Sequence, residues 1–255
     1  MIYIKNKWEI EMIRRASEIV SEVLVILQTE AVEGISTWDM DKLAEEYARK
    51  MGAKPAFKGY RNFPGSVCFA INNEIVHGIP SKRRVLKGGD IVSMDFGAFI
   101  DGYYSDSAVT VPIGEVSPYA RKLLRITRES LYKGIEQARP SNRLLDISKA
   151  IQIHVEGEGF SVVTAFVGHG IGKNLHEEPQ VPNYVPENGN WGKGVRLKAG
   201  MVLAIEPMVN IGKPDVEIRD DGWTAVTRDG TLSAHFEHTV AIGEDGPIIL
   251  TEMQN

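Results

Sequence analysis

The chain carries one segment twice in outline. Leu86 to Asp95 (LKGGDIVSMD) runs in step with Leu197 to Glu206 (LKAGMVLAIE), 111 residues later, and each copy ends on a carboxylate. Upstream, Asp39, Lys42 and Gly52 match Asp146, Lys149 and Gly159 at a spacing of 107, which differs from the strand spacing by a four-residue indel. A glycine turn feeding an apolar strand is common punctuation by itself. Helical and extended segments matched in the same order say more, and they restrict the chain to two related helix-helix-sheet halves. The expectation is a single domain over residues 1–255, with halves of about 1–115 and 116–255 packed pseudo-symmetrically so that Asp95 and Glu206 approach a shared cleft.

Local signals supply the elements. Ile10, Ile13, Ile19, Val20, Val23 and Leu27 lie near helical spacing and predict a helix from about Lys7 to Thr29. The capping signature Ser36-Thr37-Trp38-Asp39 opens a second, running to about Met51 and closed by Gly52. Ser66 to Ile79 reads as extended, and Asp90 to Val111 as a hairpin turning at Asp101-Gly102. Helices from about Pro118 to Ala138 and Leu144 to Glu158 then repeat the order, with strands in much of the rest.

Asp95, Asp106, His169, Glu206 and Glu237 sit in segments that otherwise read as buried apolar strands or glycine turns. An ionised side chain taken out of water costs several kcal/mol or gives up its charge, so such acids need a counter-charge. No Lys or Arg stands beside them in sequence. Four anionic donors and one imidazole suit a pair of divalent cations with water between them, which points to a hydrolytic metalloenzyme.

The turn at Asp101-Gly102 sets Asp106 opposite Gly97, and Gly97 shares a face with Asp95, so the two aspartates become diagonal neighbours. Taken alone, Asp106 reads equally well as a solvated polar residue. His169 lies between glycines that leave its ring uncovered, and a neutral imidazole is a good ligand beside carboxylates. Glu206 follows the unbroken apolar run Met201–Ile205, which suits a metal ligand that also takes a proton from water. Glu237 stands in an alternating strand, Ser233 to Val240, with His235 and Thr239 as same-face neighbours; by itself it reads as well as a salt-bridged edge residue. His176 supplies a further imidazole, and His77, lacking a partner acid, is assigned to substrate contact.

Other chemistries fare worse. Ser66 and Ser107 lack a nucleophile elbow, the glycines around His169 lack the Lys-Ser/Thr of a phosphate loop, and Cys68 reads as a small wall residue. With Lys+Arg 29 against Asp+Glu 34, the net charge of −5 provides no global basic field for nucleic acid or an anionic membrane. A single cysteine fits a reducing compartment, and the charged start MIYIKNKWEIEMIRR has no apolar leader core, so a cytoplasmic protein is expected.

Taken together, NNEIVHGIP, GDIVSMDFG with Asp106 eleven residues after Asp95, GHGIGKNLHEEPQVPNY, GMVLAIEPM, DGWT and LSAHFEHTV resemble the type I methionine aminopeptidases in their short bacterial form, over nearly the whole chain. The resemblance implies the pita-bread fold, an α+β architecture of two related halves. It implies two divalent ions, Co, Mn, Fe or Zn, with Asp95 chelating one, Asp106 and Glu237 bridging both, and His169 with Glu206 completing the other. Glu206 is similar to the family's proton shuttle, His77 to its contact with the substrate amide, and His176 to its oxyanion donor. Tyr60, Phe63, Cys68 and Trp223 look like walls of a methionine pocket. Backbone around Asn72 and Glu74, with Ser233, resembles a monovalent-cation site. Leu175, Arg61, Asn62 and Gly65 depart from many relatives and put the tightness of the pocket in question.

The expected function is removal of the initiator methionine from nascent chains with a small second residue. The expected partners are N-terminal methionine peptides, with transient ribosome contact left open, no membrane, and a monomeric state. The competing readings are a proline-directed aminopeptidase of the same fold and a metal-free relative that binds peptides. Loss of ligand residues would mark the latter, and all five are present.

Overall fold

The computed structural model describes residues 1–186 and 194–252; the remaining stretches, both within the expected second half, lie outside the description. Helices α1 (Lys7–Glu30), α2 (Thr37–Lys50), α3 (Pro118–Glu136) and α4 (Leu144–Gly157) end within two residues of their sequence expectations. Asn6 caps α1 by accepting from Glu9 N–H at 3.0 Å while the Glu9 carboxylate accepts from Asn6 N–H at 3.0 Å. Ser36 and Ser117 cap α2 and α3 by accepting from Asp39 N–H and Ala120 N–H, and Pro118 follows Ser117 at the first turn, where its missing N–H costs nothing. The inner stripe of α1 includes Ile13, Val20, Val23 and Leu27, all fully buried and each stabilising by about 1.5–3 kcal/mol.

The repeat seen in sequence is a repeat in space. Gly89 and Gly200 both take left-handed backbone, with φ of 95° and 89°, and the strands they feed begin at Ile91 and Val202. Isolated bridges join Ser36 to Val85 in one half and Arg143 to Arg196 in the other, preserving the spacings of 107 and 111 residues. α1 and α2 pack over the sheet of the first half; α3 and α4 pack against one another, where Gly134 lets Ile151 close in to 2.8 Å of a would-be Cβ.

The first sheet is built on a long hairpin, Ile91–Ile100 with Tyr103–Pro112, flanked by Lys54–Pro55 and Val67–Ile71. Asp101 and Gly102 take φ of 52° and 87°, the left-handed pair that a tight hairpin turn demands. A five-stranded sheet orders Pro247–Ile249, His238–Ile242, Val202–Ile205, Gly168–Gly170 and Glu177–Val181. Two three-stranded sheets complete it: Val216–Ile218, Ala225–Thr227 and Glu74–Val76; and Ser233–His235, Met208–Asn210 and Ser161–Val162.

One sequence expectation fails. Ser233 to Val240 is not one strand: Ser233–His235 and His238–Ile242 belong to different sheets. The partner strand breaks at the same level, with His238 opposite Ile205 and His235 opposite Met208. Glu206-Pro207 therefore faces Phe236-Glu237 across an interrupted ladder, and Pro207 has no N–H to continue it. Into this gap comes the hairpin, through a bridge between Ala108 and Glu237.

Candidate active site

Within the hairpin, Asp95 pairs with Ala108 and Gly97 with Asp106, so the aspartates are diagonal neighbours on one face. Gly97 keeps their surroundings open: a Cβ there would fall 3.0 Å from Ala56 and Phe57 and 3.3 Å from Asp106 Oδ1. The Asp106 backbone is pinned from the second half by Thr239, whose Oγ1 donates to the Asp106 carbonyl at 2.7 Å. Glu237 N–H donates to Ala108 O at 2.9 Å, which carries the Glu237 side chain to the aspartates.

His169 is held by backbone on both sides. A Cβ on Gly168 would lie 2.3 Å from Ala204 O, and one on Gly170 2.4 Å from Glu178 O, so neighbouring strands approach where only glycine fits. Its Nδ1 donates to Gly170 O at 2.9 Å; since a carbonyl can only accept, the proton is fixed on Nδ1 and Nε2 presents a lone pair. That Nε2 stands 3.6 Å from Glu206 Oε1. Glu206 is anchored through its carbonyl, which accepts from Asn183 Nδ2 at 3.0 Å.

The five side chains meet, and the protein does not neutralise them. Asp95 Oδ1, Asp106 Oδ1 and Glu237 Oε1 are buried with no hydrogen-bond partner. Among the described residues, only imidazoles reach ion-pair range of any of the four acids, His169 and His235 on Glu206, at 3.6 and 4.0 Å. Burial drives both rings neutral, to pKa values of about 4 and about 3. Burial and then mutual repulsion push Asp95, Glu206 and Glu237 well above the usual carboxylate range, and burial lifts Asp106 to about 7. Donor atoms of Asp106, His169 and Glu237 lie within 4.8 Å of one another. Orphaned anionic oxygens around a fixed lone pair are the environment a divalent cation stabilises.

The Metallopeptidase family M24 profile matches residues 11–244. The methionine aminopeptidase of Clostridium acetobutylicum is 53% identical over 251 residues, spanning 98% of this chain and 99% of that protein. The chain belongs to the methionine aminopeptidases of family M24. A crystal structure of methionine aminopeptidase from Thermotoga maritima superposes with a TM-score of 0.95 at 47% identity, covering 99% of this chain and 100% of that one. Prolidase from Pyrococcus furiosus shares the fold more distantly, with a TM-score of 0.80 at 26% identity, and this chain spans 66% of it. These relatives carry the pita-bread fold, and the α+β architecture and paired halves described above are that fold. The family, with the buried Asp106, His169 and Glu237 group, makes this a divalent-metal site.

Beside the donors lies a chamber. They line a cavity of about 290 Å³, with Tyr60, Phe63, Cys68, His77, His176 and Trp223 on its other walls. The five expected ligands and the six expected substrate contacts thus line one cavity. Phe63 meets Trp223 edge to face at 5.2 Å. His77 sits edge-on to Phe166 at 5.3 Å, in left-handed backbone with φ of 61°, and burial lowers its pKa to about 4. His176 stacks on Tyr60 at 5.3 Å, its Nδ1 3.0 Å from the Tyr60 hydroxyl. Burial, then the His169 ring and the Arg61 charge, hold the His176 pKa down to about 3. Burial and the adjacent Asp95 push the Cys68 thiol up, so it stays protonated and inert as a wall.

Phe57, Phe166 and Met208 also line the cavity and were not read from sequence, nor was His235, whose Nε2 is buried without a partner. The sequence placed it on the same face as Glu237, two residues away, but gave it no role. Near the expected monovalent-cation site, the Asn72 carbonyl accepts from Ser233 N–H at 2.9 Å. The Glu74 carboxylate is taken by Arg84 and, at 2.7 Å, by Arg219.

Proposed function

We propose that this chain is a dinuclear metal-dependent exopeptidase that removes the initiator methionine from nascent polypeptides whose second residue is small. The observation that carries the reading is the convergence of four uncompensated buried acids with His169 beside an aromatic-walled chamber. Asp95 would chelate one ion, Asp106 and Glu237 would bridge both, and His169 with Glu206 would complete the other. Manganese, iron, cobalt or zinc suits this mixed donor set. When bound, the ions supply a Lewis acid for the scissile carbonyl and an acidified water for the attack.

The chain's own groups perform the rest. Tyr60, Phe63, Cys68 and Trp223 accept the thioether side chain, which fills an apolar slot adaptably. A Glu206 carboxylate oxygen takes the proton of the attacking water and hands it to the departing amine. The Tyr60 hydroxyl can donate to His176 Nδ1, leaving Nε2–H to hydrogen-bond the oxyanion as charge develops there. His77 holds the substrate amide, and its low pKa keeps it a neutral donor or acceptor.

A monovalent cation near Asn72, Glu74 and Ser233 belongs to the same proposal and would rest on carbonyl oxygens, since guanidinium groups occupy the Glu74 carboxylate. So do a monomeric state, a cytoplasmic setting, transient ribosome contact, and the division into halves near residue 115. Rates on Met-Ala-Ser and on Xaa-Pro peptides, with elemental analysis of the reconstituted protein, test the reading. Preference for the Xaa-Pro peptides would replace it with a proline-directed enzyme. Absence of a bound transition metal would replace it with a peptide-binding role.

A further inference from the structure

Arg61 is exposed and lines the cavity, and among the described residues lining that space it is the one permanent cation, in the company of four buried or half-buried acids. Its placement is enforced by the turn that carries it. Gly59, Arg61 and Asn62 take φ of 85°, 48° and 71°; glycine and asparagine tolerate left-handed backbone, whereas for Arg61 it is unfavourable. The turn is closed by Gly59 N–H donating to Phe63 O at 2.8 Å, Tyr60 N–H to Phe57 O at 2.9 Å and Phe63 N–H to Tyr60 O at 2.9 Å. Tyr60 and Phe63 both wall the cavity, so the backbone of Arg61 and Asn62 between them is held at its edge. The Arg61 guanidinium lies 5.4 Å from the Tyr60 ring centre.

A peptide enters this site amine first, so the residues behind the scissile bond run outward past the rim. His176 marks the scissile carbonyl in the reading above. Steps of 5.3 Å from His176 to the Tyr60 ring and 5.4 Å from that ring to Arg61 bound the distance. Two or three extended residues cover such a span at ~3.4 Å each. We propose that Arg61 is a specificity residue that pairs with an acidic side chain at the third position of the substrate, favouring chains that begin methionine, small residue, Asp or Glu. The proposal rests on the aminopeptidase reading and refines it. The guanidinium is exposed, so the gain is modest, salt-sensitive and seen in KM more than in kcat.

The test compares kcat/KM on Met-Ala-Asp, Met-Ala-Ser and Met-Ala-Lys peptides with identical tails, for the metal-loaded wild type, Arg61→Gln and Arg61→Glu. The wild type is expected to prefer Asp over Lys by about fivefold at low salt, and ~0.5 M NaCl to erase most of that. Arg61→Gln should bring the ratio close to one, and Arg61→Glu should invert it, a reversal that partial misfolding does not produce. A wild-type ratio near one, or an Arg61→Glu variant that keeps the wild-type order, overturns the role of Arg61 and leaves the aminopeptidase reading standing. Cleavage of none of the three peptides overturns both.

Discussion

Glu74 and the group of Asp95, Asp106, Glu206 and Glu237 are all acids in the interior, and the fold treats them in opposite ways. Glu74 receives Arg84, Arg219 at 2.7 Å and the Ile71 N–H at 2.8 Å. Glu177 is similarly met by Lys5 at 2.7 Å. The four clustered acids receive two imidazoles that burial keeps neutral, and three of their oxygens have no partner. A chain that brings guanidinium groups from 10 and 145 positions away to one carboxylate and, among the described residues, none to four is keeping the four available for charge it does not itself carry.

That contrast can be broken in several ways. The largest effect is expected from Glu206→Gln, which preserves shape and removes the proton acceptor: kcat on Met-Ala-Ser should fall by about 100- to 10,000-fold, and a variant keeping a tenth of the activity would remove Glu206 from its role. Glu74→Gln should cost about 3 kcal/mol in urea unfolding, because it leaves the largely buried Arg84 uncompensated. A loss below about 1 kcal/mol would make that network no more consequential than surface pairs and dissolve the contrast.

Adding a divalent ion to stripped protein at 100 times its dissociation constant should stabilise by about 2.7 kcal/mol. Without the ion, the direction of the pH dependence follows from the raised acids. Asp106 moves from 3.8 to about 7 on folding, so its contribution is full in acid and is lost as pH rises from about 4 through 7. The imidazoles of His77, His169, His176 and His235, held at about 3 to 4, act in the opposite sense and cost stability as pH falls below 6.5, so the acid contribution is read against a variant: in chelator, the Tm gain of Asp106→Asn over the wild type should be larger at pH 8 than at pH 5, and an equal gain at both would mean the cluster is already compensated. The smallest effect is expected at Glu45. Burial raises its carboxyl, but Lys58, Lys42 and Arg49 outweigh this and hold it down to about 2. Its contribution is present above pH 4.5 and fades toward pH 2; because the cations are solvated, Glu45→Gln should cost below about 1 kcal/mol at pH 7 and match the wild type at pH 2.

The first helix was legible through its apolar spacing, the second because the cap at Ser36 and the stop at Gly52 act locally, and the hairpin because Asp101-Gly102 admits few alternatives; the caps at Asn6 and Ser117 come from the structure. The convergence of Asp95 and Glu206 was legible through the repeat. The break before Glu237 was not, because its cause lies in Pro207 on the neighbouring strand and in the hairpin arriving at Ala108. The pairing of Glu74 with Arg219 is likewise set by tertiary packing, and no pattern within either segment announces it. The glycines around His169 suggested close backbone approach and an uncovered ring; which strands approach, at Ala204 O and Glu178 O, appears only in three dimensions.

The hairpin contributes Asp95 and Asp106, while His169, Glu206 and Glu237 come from beyond the connection at Gly114–Val116. Severing the chain there would give two pieces, neither owning a full donor set. Hydrolysis by the mixed pieces would then serve as a reporter of fragment complementation, silent for either alone and switched on by their reunion.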